Sequence, residues 1–569
     1  MIAKASPRRI SRRMAISWFA MGPFIAGGGV SLGVDMTRRG MVGAAMRPPE
    51  EVSAGRTFHI SPNGDDSADG RSPASAWRTL ERAKSVSLLP GDRLLLEGGT
   101  ALEGMVRLGP KDAGDPARPV VIGSYGWGRA RIHSPESGIF VHNTGGVEIR
   151  DLILTGHADT AFHNNGGVAL FAEIGPGREF SGISIFNLDI SGFQNGIEVG
   201  SATSRSGFRD VSVANSVLHD NRDSGFSSYG PEFDPESPSY SHSIIAISDT
   251  TARDNKGDPD EQSRNTGSGI ILGSVRNARV QRSQAYRNGS ESRAPQGGFG
   301  IWAYDSDDVL IQHNVSCFNR TQHADGGGFD LDQNVTASVV QHNLSYGNDG
   351  PGFMMFSDQP RNCFGNNTFR FNVSVDDARR NSFYGALTLM GNVQRVNVFN
   401  NTVLVLQRSG PESPVVYLAL PENYAPAYIG LHNNVFASHS SGALVHMPVG
   451  ATPADAVFAG NSYFSSAGPA FDWDGAQYDS LGSWRAATGQ EERANHPTGI
   501  EGDPELLNAH TPTRVVPAAE VEDFTAIKPV RDSPLIGNGL PLGEYFGIDT
   551  GGRDYFGEPI ADRASIGAG

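Results

Sequence analysis

The segment RTQHADGGGFDLD, residues 320–332, holds the densest run of reactive side chains in the sequence. Asp330 and Asp332 are one residue apart, so on an extended strand they project from one side with Cα atoms ~6.6–6.8 Å apart. Carboxyl groups so spaced can serve as the acid and the base or nucleophile of glycosidic-bond hydrolysis, with rotamers setting whether the gap suits retention or inversion. Crowding two anions raises one pKa and keeps that carboxyl protonated as the acid. His323 and Asp325 offer further proton-transfer groups. Against this stands the plainer reading of a DxD pair as a solvated or cation-binding surface.

The neighbouring strands give the pair a setting. With Ile270, Ile301, Phe329, Phe353 and Leu387 inward, alternation turns Ile271, Trp302, Asp330, Met354 and Thr388 outward, followed two residues on by Gly273, Tyr304, Asp332, Phe356 and Met390. A solvated strand face should be polar, so aromatic and methionine side chains around two aspartates stand out. Trp302, Tyr304 and Phe356 are therefore expected to stack on sugar rings, with hydroxyls meeting the carboxylates. The turn before this strand is expanded on three consecutive repeats, at 256–268, 289–298 and 320–327, and a further insertion at 227–242 follows the equivalent strand. Long loops on a rigid scaffold are where binding groups gather. Arg264, Arg293 and Arg320 lie in them and are candidates to hold an acidic sugar by paired hydrogen bonds.

The strands belong to a repeat. Short alternating segments such as "VLIQHNVSCFN" and "SVVQHNLSYGN" turn at Asn187, Asn215, Asp249, Ser283, Asn314, Asn343, Asn372, Asn401, Asn434 and Asn461. Three successive gaps are 29 residues and the others fall between 27 and 34. Each unit has a second strand introduced by glycine, as in "SGIIL" and "FGIWAY". Period-two alternation with no helix between repeats excludes an α/β fold. Such strands bury their apolar faces only by stacking, so the repeats form a solenoid with coils ~4.8 Å apart. The recurring Asn is expected to hydrogen-bond along the axis, with a second ladder at Asn221, Asn255, Asn288, Asn319 and Asn348. His313 and His342 precede ladder residues and read as structural, and Asp305, Asp307 and Asp308 read as a polar turn.

The net charge is −16, but residues 1–48 carry +7, leaving about −23 on the rest. So acidic a body disfavours nucleic acid and anionic membrane as partners. Lys4, Arg8, Arg9, Arg12 and Arg13 precede a weakly apolar, Gly-rich stretch at 14–34, and "SRRMAI" resembles a twin-arginine export signal. Two cysteines, Cys317 and Cys363, form no disulfide framework and are expected as free thiols.

Both ends of the chain carry a family resemblance. "FHISPNGDDSADGRSPASAWRTLERAKSV" with "LLPGDRLLLEGG" resembles the opening of pectate-lyase-like β-helix proteins, and "DPARPVVIGSYGWGRARI" resembles their first coil. "DSPLIGNG", "GGRDYFGEP" and "ASIGAG" are similar to their closing motif. The resemblance spans residues 56–569 and implies an all-β, right-handed parallel β-helix with an N-terminal cap including a short helix. It divides the chain into 1–48 export signal and linker, 49–105 cap and first strands, 106–475 coils, and 476–569 closing segment. It implies an exported protein, periplasmic or extracellular, acting on a polysaccharide. Its members include lyases, hydrolases and epimerases, so fold does not select the chemistry. The catalytic runs of the polygalacturonase branch are absent, and the calcium-binding Asp set of the pectate lyases has no one-to-one counterpart. No family site is carried over.

These observations lead to an exported enzyme cleaving glycosidic bonds, hydrolysis ahead of β-elimination, expected as a monomer without stable membrane insertion. Asp330, Asp332, His323 and Asp325 are its catalytic candidates, and Trp302, Tyr304, Arg320, Arg293, Arg264 and Phe356 its substrate contacts. Hydrolysis requires no cofactor or metal. Elimination requires a uronic acid neutralised by Ca²⁺ on Asp325, Asp330 and Asp332, or by an arginine. A non-catalytic carbohydrate-binding or surface protein is the competing class.

Overall fold

A computed structural model of the chain describes residues 55–157, 166–380, 384–406, 412–420, 428–450, 456–468, 470–560 and 564–569, so the segment read as an export signal lies outside the described residues. Among the described residues three sheets of fourteen strands are stacked along one axis, and each full coil contributes one strand to each. One coil supplies Asp307–Gln312 to the first sheet, Val315–Cys317 to the second and Gly327–Leu331 to the third. The next coil lays Val339–Gln341, Leu344–Tyr346 and Phe353–Ser357 on these in parallel register. Alternation along each strand sends Val309, Ile311, Phe329 and Leu331 inward, into one apolar core that continues from Phe58 to Trp484.

Two hydrogen-bond ladders hold the turns. Between the first and second sheets, Asn314, Asn343, Asn372, Asn401 and Asn434 each donate Nδ2–H to the Oδ1 of the next at 2.9–3.0 Å, ending at Asn461. Each backbone N–H donates to the same oxygen, as Asn372 does to Asn401 at 2.9 Å. Asn461 donates to the buried carboxylate of Glu491 at 2.7 Å. Between the second and third sheets, Asn221, Asn255, Asn288, Asn319 and Asn348 repeat the pattern, and Asn348 donates to Asp377 at 2.8 Å. Both series therefore end on a carboxylate, which accepts from the last amide without needing an acceptor in turn. Burial raises both carboxyls, that of Asp377 to about 6.

The first ladder differs from the sequence expectation. Asn187, Asn215 and Asp249 are not its members; they lie one residue earlier, with φ of 54°, 49° and 50°. Arg282, His313 and His342 occupy the same left-handed position in later coils. Asn and Asp tolerate that conformation better than most residues, which is why two adjacent positions gave one sequence signal. Ser216 and Thr250 fill the ladder position itself, Ser216 accepting from the Leu188 N–H at 3.1 Å.

Caps close both ends. Trp77 stacks on Phe58 at 5.0 Å beside the four-residue helix Leu80–Ala83, and Trp484 of the helix Leu481–Thr488 stacks on Phe471 at 4.6 Å. Beyond this helix the chain doubles back over the second sheet. The Tyr346 hydroxyl donates to the Arg514 carbonyl at 2.9 Å, and the Gln284 amide to that of Val516 at 2.9 Å. Val315, Cys317, Leu344 and Tyr346 are buried there with Val521, Phe524 and Ile527. Both cysteines are free thiols, Cys317 under this layer. No helix among the described residues is long and apolar enough to cross a membrane.

Replacing Asn372 by Ala leaves buried donors on Asn343 without an acceptor. A loss of about 3 kcal/mol is expected from two to three such groups. Asn187→Gly at the left-handed position should cost less than about 1 kcal/mol, since glycine accepts that conformation. Urea unfolding of the two variants checks the difference.

Candidate functional site

The third sheet carries the candidate site, because insertions rise along both its edges while the second sheet is covered by the returning chain. Its register places Ile271, Trp302, Asp330, Met354 and Thr388 in one row, as strand parity requires. One residue further along, Leu272, Ala303, Leu331 and Met355 pair and turn inward, so Gly273, Tyr304, Asp332 and Phe356 form the next outward row. Asp330 and Asp332 therefore lie on one outer face.

That face is open over only part of its width. Trp302 is 3% exposed, and its indole N–H donates to Ser268 Oγ at 3.0 Å. It packs with Ile271, Phe299, Met354, Phe356, Ala378 and Tyr384 in a satellite apolar cluster under the loops. The expected sugar-stacking roles of Trp302 and Phe356 are thereby corrected: the aromatic surface legible in the sequence is the floor on which the walls sit. Asp330, 1% exposed, lies in the same closed row between Trp302 and Met354. Asp325 is equally buried, accepting from the Gly297 N–H at 2.9 Å and the Tyr384 hydroxyl at 2.5 Å. It ties the 289–298 loop to the 320–327 loop and Tyr384, a structural role in place of the proton transfer expected of it.

His323, Arg293 and Arg320 stand exposed on the loops, Arg320 beside Asp349 together with Arg379 and Arg380. Arg264 instead reaches down to the buried carboxylate of Asp223 at 2.6 Å and binds the 256–268 wall to the coil beneath. The same wall is held by Arg222, which bridges to Asp258 at 2.7 Å and Asp260 at 2.9 Å.

Beside this cover runs a polar strip in which Tyr304, Asp305 and Tyr229 are half-buried while Asp332, Glu198 and Asp223 are 6%, 2% and 4% exposed. Tyr304 is half-buried, and its surroundings include Asp305, Arg264, Asp223 and Asp332. Burial holds its phenol protonated, raised well above its ordinary range. Asp332 accepts the Gln333 N–H at 2.7 Å, and Asp305, at the turn after Tyr304 with φ 45°, accepts from the Asn334 amide at 2.7 Å. Burial, opposed by the Asn334 bond and aided by the charge of Asp332, pushes Asp305 up to about 7. Further along, Glu198 accepts from the Tyr229 hydroxyl at 2.8 Å and the Asn195 amide at 3.1 Å. Burial raises both Glu198 and Asp223, and Arg264 opposes the rise at Asp223.

The sequence reading missed Glu198, Asp223 and Tyr229, and took Asp305 for part of a polar turn. Glu198 was reachable: it pairs with Ser227, which pairs with Ile271, so the parity used for Asp330 turns it outward too. Asp223 lies just past the second ladder and gave no signal until Arg264 was seen against it.

The architecture thus defines the class as a right-handed parallel β-helix with a loop-walled outer sheet. A family described as "Right handed beta helix region" matches residues 177–373. Among solved structures, the chain is similar to a GH136 lacto-N-biosidase from Eubacterium ramulus at 19% identity and a TM-score of 0.50, covering 63% of this chain and 65% of that one. The chain thus spans just under two thirds of that protein's length. It is also similar to the pectate lyase Pel9A, at 16% identity and a TM-score of 0.43 over 91% of this chain and 97% of that one. A PL6 family alginate lyase, AlyGC, follows at 13% identity and 0.45, over 79% and 60%. These identities speak for fold alone, and no curated protein sequence matches the chain.

Arg264→Ala leaves the buried Asp223 carboxylate without its guanidinium partner. Breaking a fully buried pair costs ~3–5 kcal/mol, and a partly wet guanidinium lowers that to about 2 kcal/mol. Limited proteolysis should then cut within 256–268 in the variant at protease levels that spare the parent. An unchanged cleavage pattern would show that the wall is held by other contacts.

Proposed function

We propose that this chain is an exported enzyme that hydrolyses glycosidic bonds of a polysaccharide lying on the outer face of the third sheet. The observation that carries this reading is the pairing of Asp305 with Asp332 on adjacent coils beside Tyr304. A carboxyl kept neutral up to about pH 7 by burial and by a neighbouring carboxylate is what acid-assisted hydrolysis requires. Asp305, held neutral to about pH 7, donates its proton to the glycosidic oxygen as the bond to the anomeric carbon breaks. Asp332 either takes a proton from the attacking water or attacks the anomeric carbon itself. A new reducing end forms in both cases.

Asp332 keeps the catalytic role read from the sequence, while Asp305 replaces Asp330, which lies under the walls. Elimination is the weaker reading, because Arg264, the arginine among the charges around Tyr304, is already engaged with Asp223 at 2.6 Å. The basic, weakly apolar N-terminal segment supports export to the periplasm or beyond, and the acidic body disfavours a nucleic-acid partner.

Incubation with a panel of polysaccharides should release reducing ends without the absorbance of an unsaturated sugar. Absorbance at each cut would establish elimination instead. Asp305→Asn and Asp332→Asn should each lower kcat by about 10²–10⁴-fold, the range for loss of an acid or base. Since the acid must be protonated, kcat should fall as pH rises through about 7, and Asp305→Asn should remove that limb from its residual rate. Full activity in both variants would refute the assignment.

A further inference from the structure

Two tyrosines on the third sheet lie down along the axis instead of standing off it. Tyr229 pairs in register with Gly200, and a Cβ at Gly200 would sit 2.5 Å from the Tyr229 ring. Tyr304 pairs with Gly273, where a Cβ would sit 2.3 Å from the ring. Only glycine lets each ring settle onto the preceding coil. Both rings remain half-buried, whereas Trp302, centred 5.4 Å from Tyr304, is sealed. From strand spacing, the two rings are two coils apart, ~9.6 Å along the axis.

The ionisable groups beside these rings are mostly of one sign. Glu198 is bonded to Tyr229; Asp223, Asp305 and Asp332 surround Tyr304; and the single guanidinium among them, Arg264, is bound to Asp223. The insertion following Tyr229, residues 230–241, adds Glu232, Asp234 and Glu236 and contains no Lys or Arg. An anionic polymer bears negative charge at every unit and would meet no unengaged cation among these groups, since Arg264 is held by Asp223 and Arg361 by Glu236 of the insertion. Hydroxyl-bearing rings without charge stack on aromatic faces and donate to carboxylates.

Resting on the proposed carbohydrate site, we infer that Tyr229 and Tyr304 form two successive sugar-binding platforms for an uncharged polysaccharide running along the helix axis, and that a floor whose guanidinium is already engaged selects against uronate-rich polymers. Tyr229 and Tyr304 supply the apolar faces, and Glu198, buried beneath, holds the Tyr229 hydroxyl at 2.8 Å and so fixes the first ring. This assigns substrate contact to Tyr229 and the retained Tyr304, and a positioning role to Glu198.

Affinity electrophoresis of the full chain in gels containing xylan, β-glucan or galactomannan, against gels containing polygalacturonate or alginate, tests this independently of turnover. At least one neutral polymer should retard the parent, and Tyr229→Ala and Tyr304→Ala should each weaken that retardation at least tenfold in polymer concentration. Circular dichroism melts confirm that both variants are folded. Tyr304→Phe, which keeps the ring, should retain most of the retardation. Retardation without release of reducing ends would leave the platforms standing and overturn the hydrolytic reading alone. Retardation only by the uronate polymers, by none of the polymers, or unchanged in folded Tyr→Ala variants would overturn the inference.

Discussion

The turns of this solenoid each leave backbone donors pointing along the axis, and the structure depends on supplying them with acceptors. A buried amide without a partner costs about as much as a lost hydrogen bond, and here the demand recurs on every coil. The asparagine ladders meet it because the side chain is donor and acceptor at once. Oδ1 takes the N–H groups of the coil below while Nδ2 donates to the coil above. The arrangement propagates without strain for as long as Asn is available. It ends well only where a group can accept without donating, which is the place of Glu491 and Asp377.

Such firm turns account for the asymmetry of the molecule. The first ladder leaves a tight corner between the first and second sheets in every coil it spans. The second ladder fixes the start of each corner into the third sheet, after which the chain is free to lengthen, as it does after Asn255, Asn288 and Asn319. The insertions consequently rise together at one edge. Their mutual contacts, through Asp325 and through the Arg264–Asp223 pair, use carboxylates that would otherwise be costly to bury. The walls stand on apolar side chains of the same sheet, so the outer face divides into a sealed strip around Trp302 and a half-buried polar strip around Tyr304.

The fold was legible because its signals are local and repeated. Alternation, glycine-led strands and a near-constant spacing each recur many times, and chance errors in one coil do not alter the period. Strand parity was equally legible, since register in a parallel stack admits no slip without turning apolar side chains to water. Exposure was not legible. Parity states that Trp302 and Asp330 leave the core, but whether a loop then covers them depends on contacts between coils, as between the Trp302 indole and Ser268. The one-residue shift of Asn187, Asn215 and Asp249 has a similar origin, because Asn suits both the left-handed turn and the ladder beside it. Asp305 was set aside because turn aspartates are common, and only the juxtaposition with Asp332 distinguishes it.

That juxtaposition has a consequence for how the acid is tuned. Asp305 lies at the end of its strand with a left-handed backbone, so its side chain is aimed by the turn and by the Asn334 amide, not by strand alternation. Asp332 is aimed by alternation one coil away. The two carboxyls are thus positioned by different rules of one repeat, which lets them approach without sharing a strand. A neighbouring anion favours the neutral form of Asp305, while the Asn334 donor favours the charged form, and burial tips the balance toward neutrality. An acid poised near neutrality arises here from a corner residue facing a strand residue, a pairing that a stack of near-identical coils offers at every corner and that this chain fills with two aspartates.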